Sequence, residues 1–431
     1  MCEWRCAVEG LFGLSPEKAR WLMVFAGLVI EFCLGAIYSY SVIAVPLKRF
    51  FEAPPPDGLG LKVSATEMQL PFIVFLPVFA LVMPLAGSFI EKYGPRKVSV
   101  TGAIFVGLGW FLASLATSPM MLIFLYGVIG GIGVGIAYNC PITVSARWFP
   151  DRRGLAVGLT VLGFGISAAF VSPFADFLAA RLGVSTMFKI LGIMFLLLII
   201  AFSIFLRFPQ SDWKPPYWKP AQSKAAANIE LDRDKMVKTL SFYALWLCYS
   251  IGTLAGLMAI GVAKPVGLEV AENAGISESE ISSLVTMLAI PFAFCNGFGR
   301  PLFGWMTDRL APMKTAVLSF ILICLASALI YANLASIIAY AVAFAILWLN
   351  LGGWLAIPPA ATTSFFGIKN YARNYGLVFT AYGAGAVAGN LLAGQARDIF
   401  GAYIAVFPYV ILIAVIGTIT ALMGLKPPKS E

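Results

Sequence analysis

Twelve stretches of this chain are each long and apolar enough to cross a bilayer, and that number limits the fold more than any other feature. They lie near 21–46, 66–90, 98–117, 120–146, 154–180, 186–206, 239–263, 281–306, 315–332, 334–361, 374–396 and 401–424. A hydrocarbon core about 30 Å thick needs roughly 20 apolar residues in helical form. At that depth the backbone must satisfy its own polar groups, which spans of this length do as helices. Composition agrees, with 60% apolar and only 12% charged residues, against about 25% charged in soluble domains. The expected fold class is an all-α membrane protein with twelve transmembrane helices. Soluble and fibrous classes are excluded. The opening MCEWRCAVEGLFGLSPEKAR holds no uninterrupted apolar core of signal-peptide type, so the first helix is expected to direct insertion.

The net charge of +9 acquires meaning only once it is placed. With both termini on the cytoplasmic side, 22 of the 30 Lys and Arg fall in cytoplasmic segments and 7 in outer ones, leaving Arg300 inside a span. That asymmetry is the positive-inside pattern. The basic excess therefore reports topology. No continuous basic patch of the kind nucleic acid requires is present. The expected location is the plasma (inner) membrane, multi-pass, with both termini cytoplasmic and the chain functional as a monomer.

The two halves of the chain repeat each other at an offset of 217 residues. Gly87, Glu91, Lys92 and Lys97 after the second span map onto Gly304, Asp308, Arg309 and Lys314 after the eighth. The same offset pairs Pro84 with Pro301, Pro141 with Pro358 and Gly35 with Gly252, and an offset of 220 pairs Thr160, Gly163 and Gly165 with Thr380, Gly383 and Gly385. Parallel repeats of this kind make two six-helix halves. The expected division is 1–206, a cytoplasmic linker at 207–238 rich in proline and charge, and 239–431. A short surface helix near 224–236 is a further expectation.

Arg300 is the only charge in the eighth span, ISSLVTMLAIPFAFCNGFGRPLFGWM. A cation at membrane depth costs a few kcal/mol or more, and such residues mark substrate or ion paths. Arg300 lies eight residues before Asp308, roughly 12 Å along a helix, which is far for the alternative, snorkelling to the surface. Asn296 stands one turn earlier on the same face. A guanidinium presents a planar fork of donors that fits a carboxylate. Arg300 and Asn296 are therefore candidate ligands for a small organic anion. Glu31, near the middle of the first span, is a candidate to bind and release a proton, or to act as counter-ion to Arg300. Tyr38, Tyr126 and Tyr382 can each donate a hydrogen bond to a carboxylate. Phe379 and Trp354 are candidates for an apolar wall. Gly127, Gly131 and Gly135 form a stripe suited to close helix packing.

Other chemistries find no support. The chain has no histidine and seven scattered cysteines without a C-x-x-C pair, so neither a metal site nor a disulfide framework is expected. No serine–histidine arrangement and no G-x-x-x-x-G-K-[ST] loop occur, so no cofactor is expected, and neither an enzyme nor an ATP-driven pump.

The segment Gly87, Glu91, Lys92, Gly94, Arg96 and Lys97 resembles the signature loop of the major facilitator superfamily, G-x-x-x-D/E-R/K-x-G-x-R/K. Its second copy, with Asp308 and Arg309, has Ala311 where a glycine would sit. The resemblance covers nearly the whole chain. It implies that the charged loop residues hold helix ends across the interface of the two halves. Gly35–Val42, Asn296–Arg300, Arg147–Ala156 and Thr380–Gly383 are similar to the oxalate/formate antiporter group and the monocarboxylate transporters. In the latter an aspartate precedes the arginine by one turn, where this chain has Asn296. In the oxalate exchangers a lysine supplies a second cation, where this chain has Tyr382. One cation suits one carboxylate, so the resemblance implies lactate-, pyruvate- or formate-like substrates. The expected activity is secondary transport by alternating access, proton-coupled, in the lipid bilayer. The alternatives are oxalate/formate-type exchange and, in another class, a receptor that binds without flux; the short linker argues against the receptor.

Overall fold

The computed structural model of the protein describes residues 15–56, 58–210, 213–215 and 230–428. The main helices are α1 (Pro16–Ser39, running on as Tyr40–Glu52), α2 (Ala65–Tyr93), α3 (Pro95–Ala113), α4 (Pro119–Trp148), α5 (Arg153–Leu182) and α6 (Val184–Ser203). After the linker follow α7 (Leu240–Asn273), α8 (Glu278–Leu310), α9 (Pro312–Ala332), α10 (Ile337–Phe366), α11 (Tyr371–Phe400) and α12 (Tyr403–Gly424). Among the described residues, eleven of the helices are long and apolar enough to cross a membrane. The remaining one, α8, is 33 residues long and carries Arg300. The chain is thus a multi-pass, all-α membrane protein of two six-helix halves.

Several helices outrun the stretch that hydropathy marks. The seventh span was expected to end near 263, yet α7 continues to Asn273. Its extension is held by the packing of Val266, Val270 and Ala271, all buried. A hydropathy window reports only the part that needs lipid, whereas tertiary packing carries a helix further. The helix ends are set locally. Ser64 and Glu67 form a capping box at the start of α2. The Ser64 N–H and hydroxyl hold the Glu67 carboxyl below the usual glutamate range. Of the expected linker helix, only Arg233–Met236 forms within the described residues, and 224–229 lie outside them.

The repeat is visible in the defects of the helices as well as in their number. α4 is interrupted between Ala137 and Asn139, and α10 between Trp354 and Ile357. Each upstream segment ends four residues before Pro141 or Pro358. A proline removes the i→i−4 donor and its ring crowds that carbonyl, so the matched prolines explain the matched breaks.

The turn between α2 and α3 places Gly94 at φ 84, ψ 158, and the turn between α8 and α9 places Ala311 at φ 71, ψ 156. The loop was inherited with its geometry but without its glycine. That region is essentially glycine-only and costs a residue with a Cβ about 1–3 kcal/mol. Ala311→Gly is therefore expected to stabilise the protein by about 1 kcal/mol, after the entropy that glycine loses on folding. A thermal-unfolding midpoint in detergent that falls instead of rising would contradict this.

The halves meet chiefly along two helix pairs. α5 packs along α8, and α2 along α11. α5 also lies against α1, where Gly35 leaves no room for a side chain beside the Phe164 backbone. α5 thereby joins Glu31 of its own half to Arg300 of the other.

Candidate functional site

Arg300 and Glu31 are both fully buried, with 0% of their surface exposed. Arg300 donates from Nη1 to the Val161 carbonyl oxygen at 2.7 Å and from Nη2 to Asn296 Oδ1 at 3.0 Å. Val161 belongs to α5, so the guanidinium ties the second half to the first. A guanidinium has five N–H donors, and Nε has no partner. The fork is held in place with donors to spare. Phe164 lies under the guanidinium, ring centroid 5.3 Å from Cζ, a distance at which ring and cation attract. The arrangement requires Gly165: a Cβ there would stand 2.8 Å from Arg300 Nε and 2.8 Å from Asn296 Oδ1.

Glu31 faces this cation without touching it. Neither carboxylate oxygen has a hydrogen-bond partner, and the attraction from Arg300 acts through space. A buried charge without a bonded partner is costly, which makes this pair the chief electrostatic liability of the membrane interior.

Tyr38 and Tyr382, from opposite halves, meet hydroxyl to hydroxyl at 2.8 Å. Tyr38 stands edge-on to Phe164, centroids 5.1 Å apart. Phe379 stacks on Tyr382 at 5.0 Å and belongs to the same cluster. Asn296, Tyr38 and Tyr382, singled out in the sequence, are thus gathered around Arg300, with Phe379 behind Tyr382. Tyr126 is not. It sits in the first half between Tyr40, Phe75 and Trp110, near the far end of α4. Trp354 packs on Phe320 at 4.9 Å and over Gly252, in the core of the second half.

The structure adds residues that the sequence reading passed over. Tyr138, Tyr249 and Tyr375 surround Phe379 with ring centroids 5.2, 6.1 and 5.9 Å away. All three are fully buried and their hydroxyls lack a hydrogen-bond partner. Tyr249 and Tyr375 approach each other closely enough to interact, yet not in ordinary hydrogen-bond geometry. Buried polar groups are normally paired, so three such hydroxyls make the lining of this aromatic cluster polar as well as apolar. A signal existed for part of the set: Tyr371, Tyr375, Phe379 and Tyr382 follow at intervals of four, four and three, one face of a helix.

On the side of the bundle that carries the linker, the halves are closed by symmetric contacts. Asp308, at the end of α8, accepts from the backbone N–H of Gly154 (2.8 Å) and Leu155 (2.9 Å), the first turn of α5. Glu91, at the end of α2, pairs with Arg373 at 3.0 Å in the first turn of α11. A carboxylate at a helix N-terminus meets free N–H groups and the positive end of the dipole. Gly304 and Gly154 pack backbone to backbone, as do Gly87 and Ala372. The loop residues Gly87, Glu91 and Asp308 therefore reach the opposite half, whereas Lys92, Arg96, Lys97 and Arg309 are exposed and Gly94 serves the turn.

The linker is fastened at both ends on this face. Trp213 donates to the Trp148 carbonyl oxygen at 3.2 Å, at the end of α4. Glu230 accepts from the N–H groups of Ile368 (3.2 Å) and Lys369 (2.8 Å), between α10 and α11. Leu231 donates to the Phe366 carbonyl oxygen at 2.9 Å and accepts from Asn374 Nδ2 at 2.9 Å.

No group of three or more metal-ligating side chains occurs among the described residues. Comparison with known proteins gives one consistent answer. The chain is 29% identical to the oxalate:formate antiporter of Oxalobacter formigenes over 388 residues, 89% of this chain and 86% of that protein. It is 24% identical to apicoplast pyruvate carrier 1 of Toxoplasma gondii, over 85% of this chain and 82% of that one. It is 23% identical to monocarboxylate transporter 2 of Mus musculus, over 90% and 81%. The sequence profile described as Major Facilitator Superfamily matches residues 20–263 and 245–431. With its helical halves and central buried arginine, the chain is a transporter rather than an enzyme, and it belongs to the Major Facilitator Superfamily.

Proposed function

We propose that this transporter carries small monocarboxylates of lactate, pyruvate or formate type together with a proton, by alternating access of a single central site. The reading is supported most by Arg300, whose guanidinium is anchored by Val161 and Asn296 while Nε stays unpaired. The substrate carboxylate takes the spare donors, Tyr38 or Tyr382 turns its hydroxyl to the anion, and Phe379 bounds the rest. Names among the relatives, an oxalate:formate antiporter and a pyruvate carrier, support small carboxylates as the substrate class.

Coupling follows from Coulomb's law between two buried groups. Arg300 offsets the charge of Glu31 through space. An anion on Arg300 removes that offset, and Glu31 then binds a proton more readily, because the two binding events are linked reciprocally. Anion and proton cross together, with no net charge moved. The halves 1–206 and 239–431 rock about the site, the linker 207–238 faces the cytoplasm, and the membrane is the plasma membrane.

Uptake of labelled lactate by proteoliposomes, with and without an inward proton gradient, tests this. Gradient-driven accumulation is expected. Glu31→Gln should retain lactate binding while the pH dependence of uptake becomes flat. An unchanged pH profile would remove Glu31 from the coupling. The exchange reading, suggested by the antiporter relative, requires internal anion to stimulate uptake and no need for a pH gradient.

A further inference from the structure

We propose that Phe79 is the specificity-determining residue that sets the largest substrate Arg300 can hold; this rests on the carboxylate reading above. Phe79, in α2, is 1% exposed and stands at the centre of the aromatic cluster. Its ring centroid lies 4.9 Å from Phe379, 5.1 Å from Tyr138, 6.0 Å from Tyr382 and 6.3 Å from Phe164. Phe164 is the ring that underlies the Arg300 guanidinium at 5.3 Å. Phe79 is therefore the apolar surface one ring removed from the cation, touching elements α4, α5 and α11. It has no polar group with which to bind a carboxylate. What it contributes is excluded volume.

Its backbone cannot retreat. A Cβ on Gly135 of α4 would stand 2.8 Å from the Phe79 carbonyl oxygen, and a Cβ on Gly383 of α11 would stand 2.8 Å from the Cβ of Ala80. The chain at 79–80 is pinched between a helix of each half, and close-packed interiors resist local shifts. Phe379 differs, since it occupies the interruption between Tyr371–Val378 and Thr380–Phe400 and no glycine of a neighbouring helix packs against its backbone. Of the two facing rings, Phe79 is the fixed wall. A fixed wall discriminates by size, and one methylene in an apolar pocket is worth about 10- to 200-fold in selectivity.

The test is competition against labelled lactate uptake in proteoliposomes of the full chain, using unlabelled lactate and phenyllactate. The wild type should be inhibited far better by lactate. In Phe79→Ala the substrate's ring can occupy the vacated space, so the phenyllactate to lactate inhibition ratio should shift towards phenyllactate at least tenfold. Phe79→Leu should shift it less and serves where the alanine variant is poorly folded. Phe320→Ala, which empties a site beside Trp354 in the second-half core, controls for general loosening and should leave the ratio unchanged. A ratio unaltered in Phe79→Ala and Phe79→Leu, or altered equally in Phe320→Ala, overturns the assignment of Phe79. Absence of any monocarboxylate inhibition or uptake in the wild type overturns instead the carboxylate reading beneath it.

Discussion

Replacing Arg300 by alanine should lower monocarboxylate uptake by two to three orders of magnitude, and replacing it by lysine by about one to two. Removing one member of a buried, hydrogen-bonded charge pair costs about 2–5 kcal/mol, and each 1.4 kcal/mol is a factor of ten. Lysine keeps the charge but loses the fork. Its single ammonium cannot hold the Val161 carbonyl and Asn296 Oδ1 while also offering two parallel donors to a carboxylate. The alanine variant additionally leaves Glu31 with no cation to offset it, so the double change Arg300→Ala with Glu31→Gln should express better than Arg300→Ala alone. Initial rates at matched protein content decide the matter. Uptake by Arg300→Lys within twofold of wild type would mean that the guanidinium geometry is not what holds the substrate.

Gly304→Ala should reduce uptake at least tenfold by a different route, through the conformational equilibrium. A methyl on Gly304 would overlap the carbonyl oxygen of Gly154. The opposing element is backbone and cannot swing aside, so α5 and α8 must separate at the linker side. Separation also lengthens the bonds from Gly154 and Leu155 to Asp308. A bias of a few kcal/mol against one state turns a balanced equilibrium into one populated at a few per cent or less. Cys140, in α4 and 0% exposed, provides the readout. It should react faster with a membrane-impermeant maleimide applied from the linker side in Gly304→Ala than in wild type. Normal labelling together with normal uptake would show that closure does not depend on the glycine contact.

How far the site could be read in advance depended on whether the relevant spacing was local. Arg300 and Asn296 share a helix face by covalent geometry, so the sequence suffices to join them, and they do bond. The third partner, the Val161 carbonyl oxygen, is a backbone atom with no side-chain signature. The burial of Glu31 was legible from its depth in the first span, but its lack of any bonded partner was not. Tyr38 and Tyr382 are 344 residues apart, and only the packing of the two halves brings their hydroxyls together. Tyr126 illustrates the reverse problem. A tyrosine early in a span looks much like one midway along it, since helical spacing fixes the face and leaves depth to the helix ends. Those ends moved, as α7 shows. The loop residues were legible as a motif, yet the sequence does not tell which of them touch the other half. Glu91 and Asp308 do because they stop beside helix N-termini, and Lys92 and Arg309 point away.

The fastened linker has a consequence for the thermodynamics of the cycle. Its bonds to Ile368, Lys369, Phe366 and Asn374 lie within the second half, and they hold Glu230 where its charge attracts Arg147 and Arg153 of the first half. That attraction between the halves weakens as they separate, so it favours the closed form of this face in the absence of any cargo. A substrate arriving at the disfavoured face meets an apparent affinity lowered by the scarcity of the state it needs. Two carriers with identical central residues could then differ in their affinity on each side of the membrane solely because their linkers grip differently.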